Sequence, residues 1–273
     1  AGNDYPWRVT DQIRNFGIAF AVLFVAANVR PQWLMRLALP VYLIGVGLLI
    51  ATEVSGETVK GATRWLDIKI TRIQPSEIMK LGVPMMLAWY FHKREGALRG
   101  YDFLAAALLL AVPVALILKQ PDLGTAVLVF AAGVFVIFFA GLPWKWLAVM
   151  LVSGVALLPV AWTLLHDYQR ERVMTLIDPS TDPLGKGFHT LQAMIAIGSG
   201  GTFGKGWMQG TQAHLEFIPE RTSDFIFAVY SEEFGLVGNV VLVLLFFALV
   251  WRSFAIAISA PTLFARLLAA AIG

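Results

Sequence analysis

The stretch Leu123–Trp144, LGTAVLVFAAGVFVIFFAGLPW, runs for twenty-two residues without an Asp, Glu, Lys or Arg. A bilayer's hydrocarbon core asks for about 20 largely apolar residues of helix. Lipid holds no water to satisfy backbone groups, so only helices or closed barrels cross it. This run is too long and too unalternated for a barrel strand, and it reads as a transmembrane helix. Outward from it, Asn15–Val29, Leu37–Thr52, Phe103–Leu118, Trp146–Leu165 and Phe234–Trp251 are also free of those four residue types, with a further apolar run at Leu81–Phe91. Arg30, Arg36 and Lys93 can snorkel at the ends of the shorter runs, and Trp33, Trp89 and Trp144 suit the interface. Seven spans result, with the start of an eighth after Pro261. The fold class is all-α, a polytopic transmembrane helix bundle of about 7–8 spans with one large loop outside the membrane.

Composition agrees. Of 273 residues 58% are hydrophobic and 14% charged, against roughly 45–50% and 25% in soluble domains, and the mean hydropathy is +0.71. An ordinary cytosolic enzyme is excluded. The net charge of +3 falls on a charge-poor chain and marks loops beside a membrane rather than a nucleic-acid surface. With no cysteine there is no disulfide, thiolate metal site or thiol nucleophile. The chain begins Ala1-Gly2-Asn3-Asp4 and stops inside the apolar run Leu263–Gly273, which reads as a fragment.

Counting spans puts Glu53–Pro75, Lys119–Asp122 and the 59-residue stretch His166–Asp224 on one side with the N-terminus. Arg30–Arg36, His92–Asp102, Leu142–Lys145 and Arg252–Ala260 fall on the other. The short loops carry seven Lys or Arg on each side, so positive charge alone leaves the orientation tied, with a lean toward the long loop lying outside. That loop is too long for a connector. Its middle, Leu184–Gly198, is apolar-rich and suited to lie on the membrane or plug the bundle. The cluster Gly198–Gly206 fails the Walker template, because Lys205 is followed by Gly206. It reads as a plain turn or, less directly, as a nest for phosphate.

Asp224 stands where the long loop enters the helical run beginning at Phe225. An acid there is an ordinary N-cap; the same position keeps a carboxylate ionised and able to accept a proton from a bound hydroxyl. Glu77 and Lys80, at i and i+3, share one helix face, as a structural ion pair or facing a substrate. Glu232 and Glu233 lie inside an apolar run, and one or both should face a polar cavity. Trp65 beside Arg64 is either part of the interfacial belt or a platform for a sugar ring and an anion. His166, His189 and His214 lack zinc-ligand spacing.

Several blocks together resemble the SEDS family (shape, elongation, division and sporulation): Lys60–Asp67, Arg72–Glu77, Lys119–Thr125, Asp178-Pro179 through Asp182–Gly185, Gln192 through Gly201, and Pro219–Ala228. They occur in order from about Asn15 to Gly238, and Gly210-Thr211-Gln212 with Leu215-Glu216-Phe217 looks like the elongation branch. The resemblance implies a single membrane domain over 1–273, a fragment of a ten-span fold without the first helix and the last two, with an extracytoplasmic loop at 166–224. It implies a peptidoglycan glycosyltransferase in the bacterial inner membrane that polymerises lipid II, active on the outer face. Its partners would be a class B penicillin-binding protein acting as transpeptidase and other elongation-complex membrane proteins. The family's essential aspartate matches Asp224, its loop tryptophan Trp65, and its intramembrane Glu and Lys Glu77 and Lys80. For the departing diphosphate, Arg64, Lys119, Arg170, Arg172, Lys205 and Arg221 are candidate cations. A divalent ion, Mg or Mn, would share that load with Asp122 or Glu220 as ligand. A transporter of lipid-linked precursors is the rival reading, a scaffold for wall enzymes the third.

Overall fold

The structure, a computed structural model, describes residues 5–59, 62–67, 72–165, 170, 173–175, 177–178, 186–211 and 224–273. The helices are α1 Tyr5–Asn28, α2 Pro31–Ser55, α3 Pro75–Lys93, α4 Gly100–Lys119, α5 Leu123–Phe139, α6 Trp144–Leu164, α7 Lys186–Ser199, α8 Ile226–Ser259 and α9 Leu263–Ile272. Between α2 and α3 lies a small antiparallel sheet, β1 Glu57–Val59, β2 Ala62–Asp67 and β3 Arg72–Ile73. The chain divides into two compact units, Ala1–Pro143 with Ser253–Gly273, and Trp144–Arg252.

All seven expected spans coincide with helices, but not equally. By length and composition four helices can cross a membrane: Val9–Asn28 within α1, then α2, α4 and α8. The 17 residues of α5 are short for a span, as are the apolar residues Trp144–Val160 of α6.

In the first unit, α3 is the hub. It packs against α2, α4, α5 and α9, and Met79, Val83, Leu87, Ala88 and Phe91 are at most 1% exposed. Its apolar run is the shortest of the seven because a helix enclosed by protein need not be uniformly lipophilic. Its neighbours show one buried stripe each. That of α2 is Ala38, Tyr42, Gly45, Leu49 and Thr52, and that of α5 includes Ala126, Val129, Gly133 and Val136. Alternating steps of three and four residues define a single helix face. Small residues let the axes close: a Cβ at Gly45 would overlap Met79 of α3, and one at Gly133 would overlap Leu110 of α4. The Tyr42 hydroxyl donates to the Leu109 carbonyl (2.7 Å), tying α2 to α4.

The turn from α3 to α4 is fastened by a buried acid that the sequence did not single out. Asp102, 1% exposed, pairs with Arg94 Nε at 2.6 Å and accepts from the Tyr90 hydroxyl (3.1 Å) and the Arg99 amide (2.8 Å). Arg94 lies over the Tyr90 ring, 4.1 Å from its centroid.

In the second unit, Ala193 and Ala196 of α7 pack on Ala228 and Phe225 at the start of α8. α8 is broken: Gly235 has φ 62° and ψ −159°, a conformation essentially restricted to glycine.

Candidate functional site

Strand β2 carries two of the expected residues. Its register pairs Glu57 with Trp65 and Thr58 with Thr63 on one side, and Leu66 with Ile73 on the other. Neighbouring residues on a strand face opposite ways, so Arg64 and Trp65 do not form one platform. Arg64 reaches the α4–α5 turn, where Nη2 donates to the Pro121 carbonyl (2.8 Å) and Nη1 lies 3.9 Å from Asp122 Oδ1. Its Nε is buried without a hydrogen-bond partner among the described residues. Trp65 is half-buried. The contact with Pro121 brings the Glu53–Pro75 and Lys119–Asp122 segments to one end of this unit, as span counting expects.

Asp122 is consumed locally. It caps α5, accepting from the Thr125 amide (3.3 Å) and hydroxyl (3.0 Å), and Oδ2 also accepts from Gln74 Nε2 (3.2 Å). An ion such as Mg or Mn needs several convergent oxygens. Oxygens already held by two amides and a hydroxyl do not fit that role, and no group of three His, Asp or Glu side chains that could hold a metal gathers among the described residues. Lys119 pairs with Glu53 across the ends of α4 and α2. Glu77 and Lys80 pair with each other at 2.7 Å in the first turns of α3. Both reach solvent or lipid, so this pair does not lock two helices together.

In the second unit Asp224 is exposed. The first α8 amides, those of Ala228 and Val229, donate to the Phe225 carbonyl, so Phe225 occupies the cap position and Asp224 lies one residue outside it. Among the described residues no helix amide donates to its carboxylate. Arg170 sits on the end of α6, donating to the carbonyls of Trp162 (3.0 Å) and Thr163 (2.9 Å), a helix C-terminal cap. Arg172, Glu220 and Arg221 lie outside the described residues.

Lys205 meets a partner that its sequence neighbourhood does not reveal. Its ammonium donates to Glu232 Oε1 at 2.7 Å and to Thr211 Oγ1 at 2.8 Å. Glu232 is 0% exposed, and Thr211 Oγ1 lies 3.1 Å from the same oxygen. Glu233, 6% exposed, is likewise buried. The glycine cluster is neither Walker loop nor phosphate nest here: it docks into the break of α8. In a continuous helix the amides of Leu236 and Val237 would donate to the carbonyls of Glu232 and Glu233. Instead they donate to Gly201 (2.9 Å) and Thr202 (3.0 Å), while Glu232 and Glu233 accept from the Lys205 and Gly206 amides (both 3.0 Å).

Comparison with known proteins places this architecture. The family model described as a cell cycle protein, that of FtsW, RodA and SpoVE, matches residues 2–273. The peptidoglycan glycosyltransferase MrdB of Escherichia coli K12 is 45% identical over 259 residues, 94% of this chain and 70% of that protein. Among solved structures, a chain of a peptidoglycan synthase complex that coordinates polymerization and crosslinking has a TM-score of 0.80 at 34% identity, covering 98% of this chain and 75% of that one. The rod shape determining protein RodA of Thermus thermophilus gives 0.67 at 30% identity, covering 98% and 71%. A match along nearly the whole length, joined to a bundle of apolar helices, makes this a multi-pass membrane protein, and the chain belongs to the SEDS family.

Proposed function

We propose that this protein is a peptidoglycan glycosyltransferase, polymerising lipid II into glycan strands during cell elongation. Its relative MrdB carries the activity in its name. The observation that carries the chemical assignment is Asp224: an exposed carboxylate just ahead of a helix N-terminus that it does not cap. Capping would occupy its oxygens; here no described helix amide takes them.

In this reading Asp224 accepts the proton of the GlcNAc 4-hydroxyl of one lipid-linked disaccharide. That oxygen attacks the anomeric carbon of MurNAc on the other, and the bond from that carbon to the diphosphate breaks with inversion from α to β. Undecaprenyl diphosphate leaves and needs cationic neighbours. In the first unit Arg64 is loosely held, with Nη1 3.9 Å from Asp122 Oδ1 and Nε without a hydrogen-bond partner among the described residues, and in the second unit Lys205 is committed to Glu232. Trp65, half-buried on the opposite face of β2, would stack a sugar ring. The site lies on the outer face of the bacterial inner membrane. A class B penicillin-binding protein crosslinks the product, a partnership supported by the likeness to a chain of a peptidoglycan synthase complex.

A broken helix with buried charge also suits a transporter, and α8 has both. Reconstitution in liposomes with labelled lipid II on the accessible side separates the readings. Glycan chains that form with the native protein and vanish with Asp224→Asn are expected. Lipid movement without chains would favour a transporter, and neither activity a scaffold.

A further inference from the structure

We propose that the partly exposed Lys205 and the buried Glu232 are a charge pin whose task is to position the half of α8 that begins beside Asp224; the inference rests on the glycosyltransferase reading. The break at Gly235 leaves Ile226–Phe234 as a separate segment of about two and a half turns. Two of the intrahelical bonds that would splice it to the membrane-embedded remainder, those of the Leu236 and Val237 amides, are diverted to the loop 200–206. Its direction is therefore set by what holds that loop in the gap.

Three kinds of contact hold it. Four backbone hydrogen bonds cross between loop and helix, using the amides of Lys205, Gly206, Leu236 and Val237. Glycines permit the approach, since a Cβ at Gly200 would overlap the Ser231 carbonyl and one at Gly204 the Glu233 carbonyl. The third is electrostatic. Glu232 is fully buried, next to the buried Ser231 and Glu233, and Lys205, the residue whose amide occupies the gap, supplies a counter-charge. A buried carboxylate that loses an ammonium at hydrogen-bond distance is driven toward hydration or protonation, and either outcome pries the contact open. Removing both charges leaves no such demand, because glutamine at 232 still accepts from the Thr211 hydroxyl, which now lies 3.1 Å from Glu232 Oε1.

The role is positioning, not direct catalysis, and a charge-removal cycle tests it in the full-length protein. Lys205→Met should lower the maximal polymerisation rate on lipid II by about tenfold or more with KM changed less than about threefold, the mark of misplaced chemistry rather than lost binding. The double variant Lys205→Met with Glu232→Gln should recover to within about threefold of native, a strong positive coupling between the two positions. Amide hydrogen exchange gives the readout independent of activity: the amides of Lys205, Gly206, Leu236 and Val237 should lose protection in Lys205→Met and regain it in the double variant. If the double variant is as inactive as the worse single one, with those amides protected throughout, the two side chains act on substrate and the pin is wrong. Full activity in Lys205→Met would equally overturn it. Should Lys205→Met fail to insert, Lys205→Arg and Glu232→Gln carry the test. Arginine keeps the charge and should retain at least about a third of the rate, and loss of rate with native protection would reject the pin. If the native protein itself makes no glycan, the enzymatic reading fails, while the exchange pattern still decides whether the pin exists.

Discussion

Gly204 and Gly235 are placed so that a methyl group on either strikes the backbone of the opposing segment: at Gly204 the Glu233 carbonyl, at Gly235 the Gly204 amide. Gly235 also has the strained dihedrals, at a cost of about 1–3 kcal/mol for any other residue. Gly204→Ala should therefore lower the unfolding temperature in detergent by several degrees and reduce glycan synthesis. Gly198→Ala, with nothing within 4 Å of the added carbon, should leave both unchanged or raise the unfolding temperature slightly. Measuring the pair side by side checks the docking of the loop. At this scale the sequence told where chemistry sits better than what it does. Asp224 was legible by position, but its part in capping was not, because only the structure shows that the first helical carbonyl is that of Phe225. Lys205 looked like a phosphate ligand because its counter-ion is 27 positions away, beyond any local pattern.

Asp122 decides how α5 starts and where β2 is anchored, since its carboxylate serves Thr125, Gln74 and, at longer range, Arg64. Asp122→Ala should cost about 1–2 kcal/mol from the lost cap alone, visible as a lower unfolding temperature. Asp122→Asn keeps an acceptor for the Thr125 amide and should lie close to native. If alanine is as stable as asparagine, the cap contributes nothing. Element boundaries followed from apolar runs where helices face lipid, as in α2 and α4. The prominence of α3 did not, because a helix surrounded by four others is free to carry Glu77, Lys80 and His92 near its ends. The three-stranded sheet was read only as loop: its strands are two to six residues long, too short for alternation to stand out. The break in α8 was equally hidden, because Phe234-Gly235-Leu236 lies in an apolar run where glycine is common.

For the whole molecule, membrane residence was plain from composition, and the large apolar side chains left uncovered agree. Phe20, Phe24, Leu151, Phe246 and Leu249 are each more than 60% exposed, as suits side chains that meet lipid. Orientation was not legible from the charges, which balance. A chain without cysteine allows a clean determination. Phe203→Cys, at a position 82% exposed beside the glycine loop, should react with a membrane-impermeant maleimide added to intact spheroplasts. Ala97→Cys, exposed between α3 and α4, should react only after permeabilisation. The reverse pattern would place the proposed active face inside the cell.

The exchange of partners at the interruption of α8 constrains how this fold can change. Straightening the rod would restore two bonds and cost the inserted segment the partners of four polar backbone groups, two N–H and two C=O. A helix-favouring residue at 235 therefore cannot heal the interruption by itself. Loop and helix must vary together or not at all, so the gap is a joint property of two stretches about thirty residues apart rather than a local weakness of one.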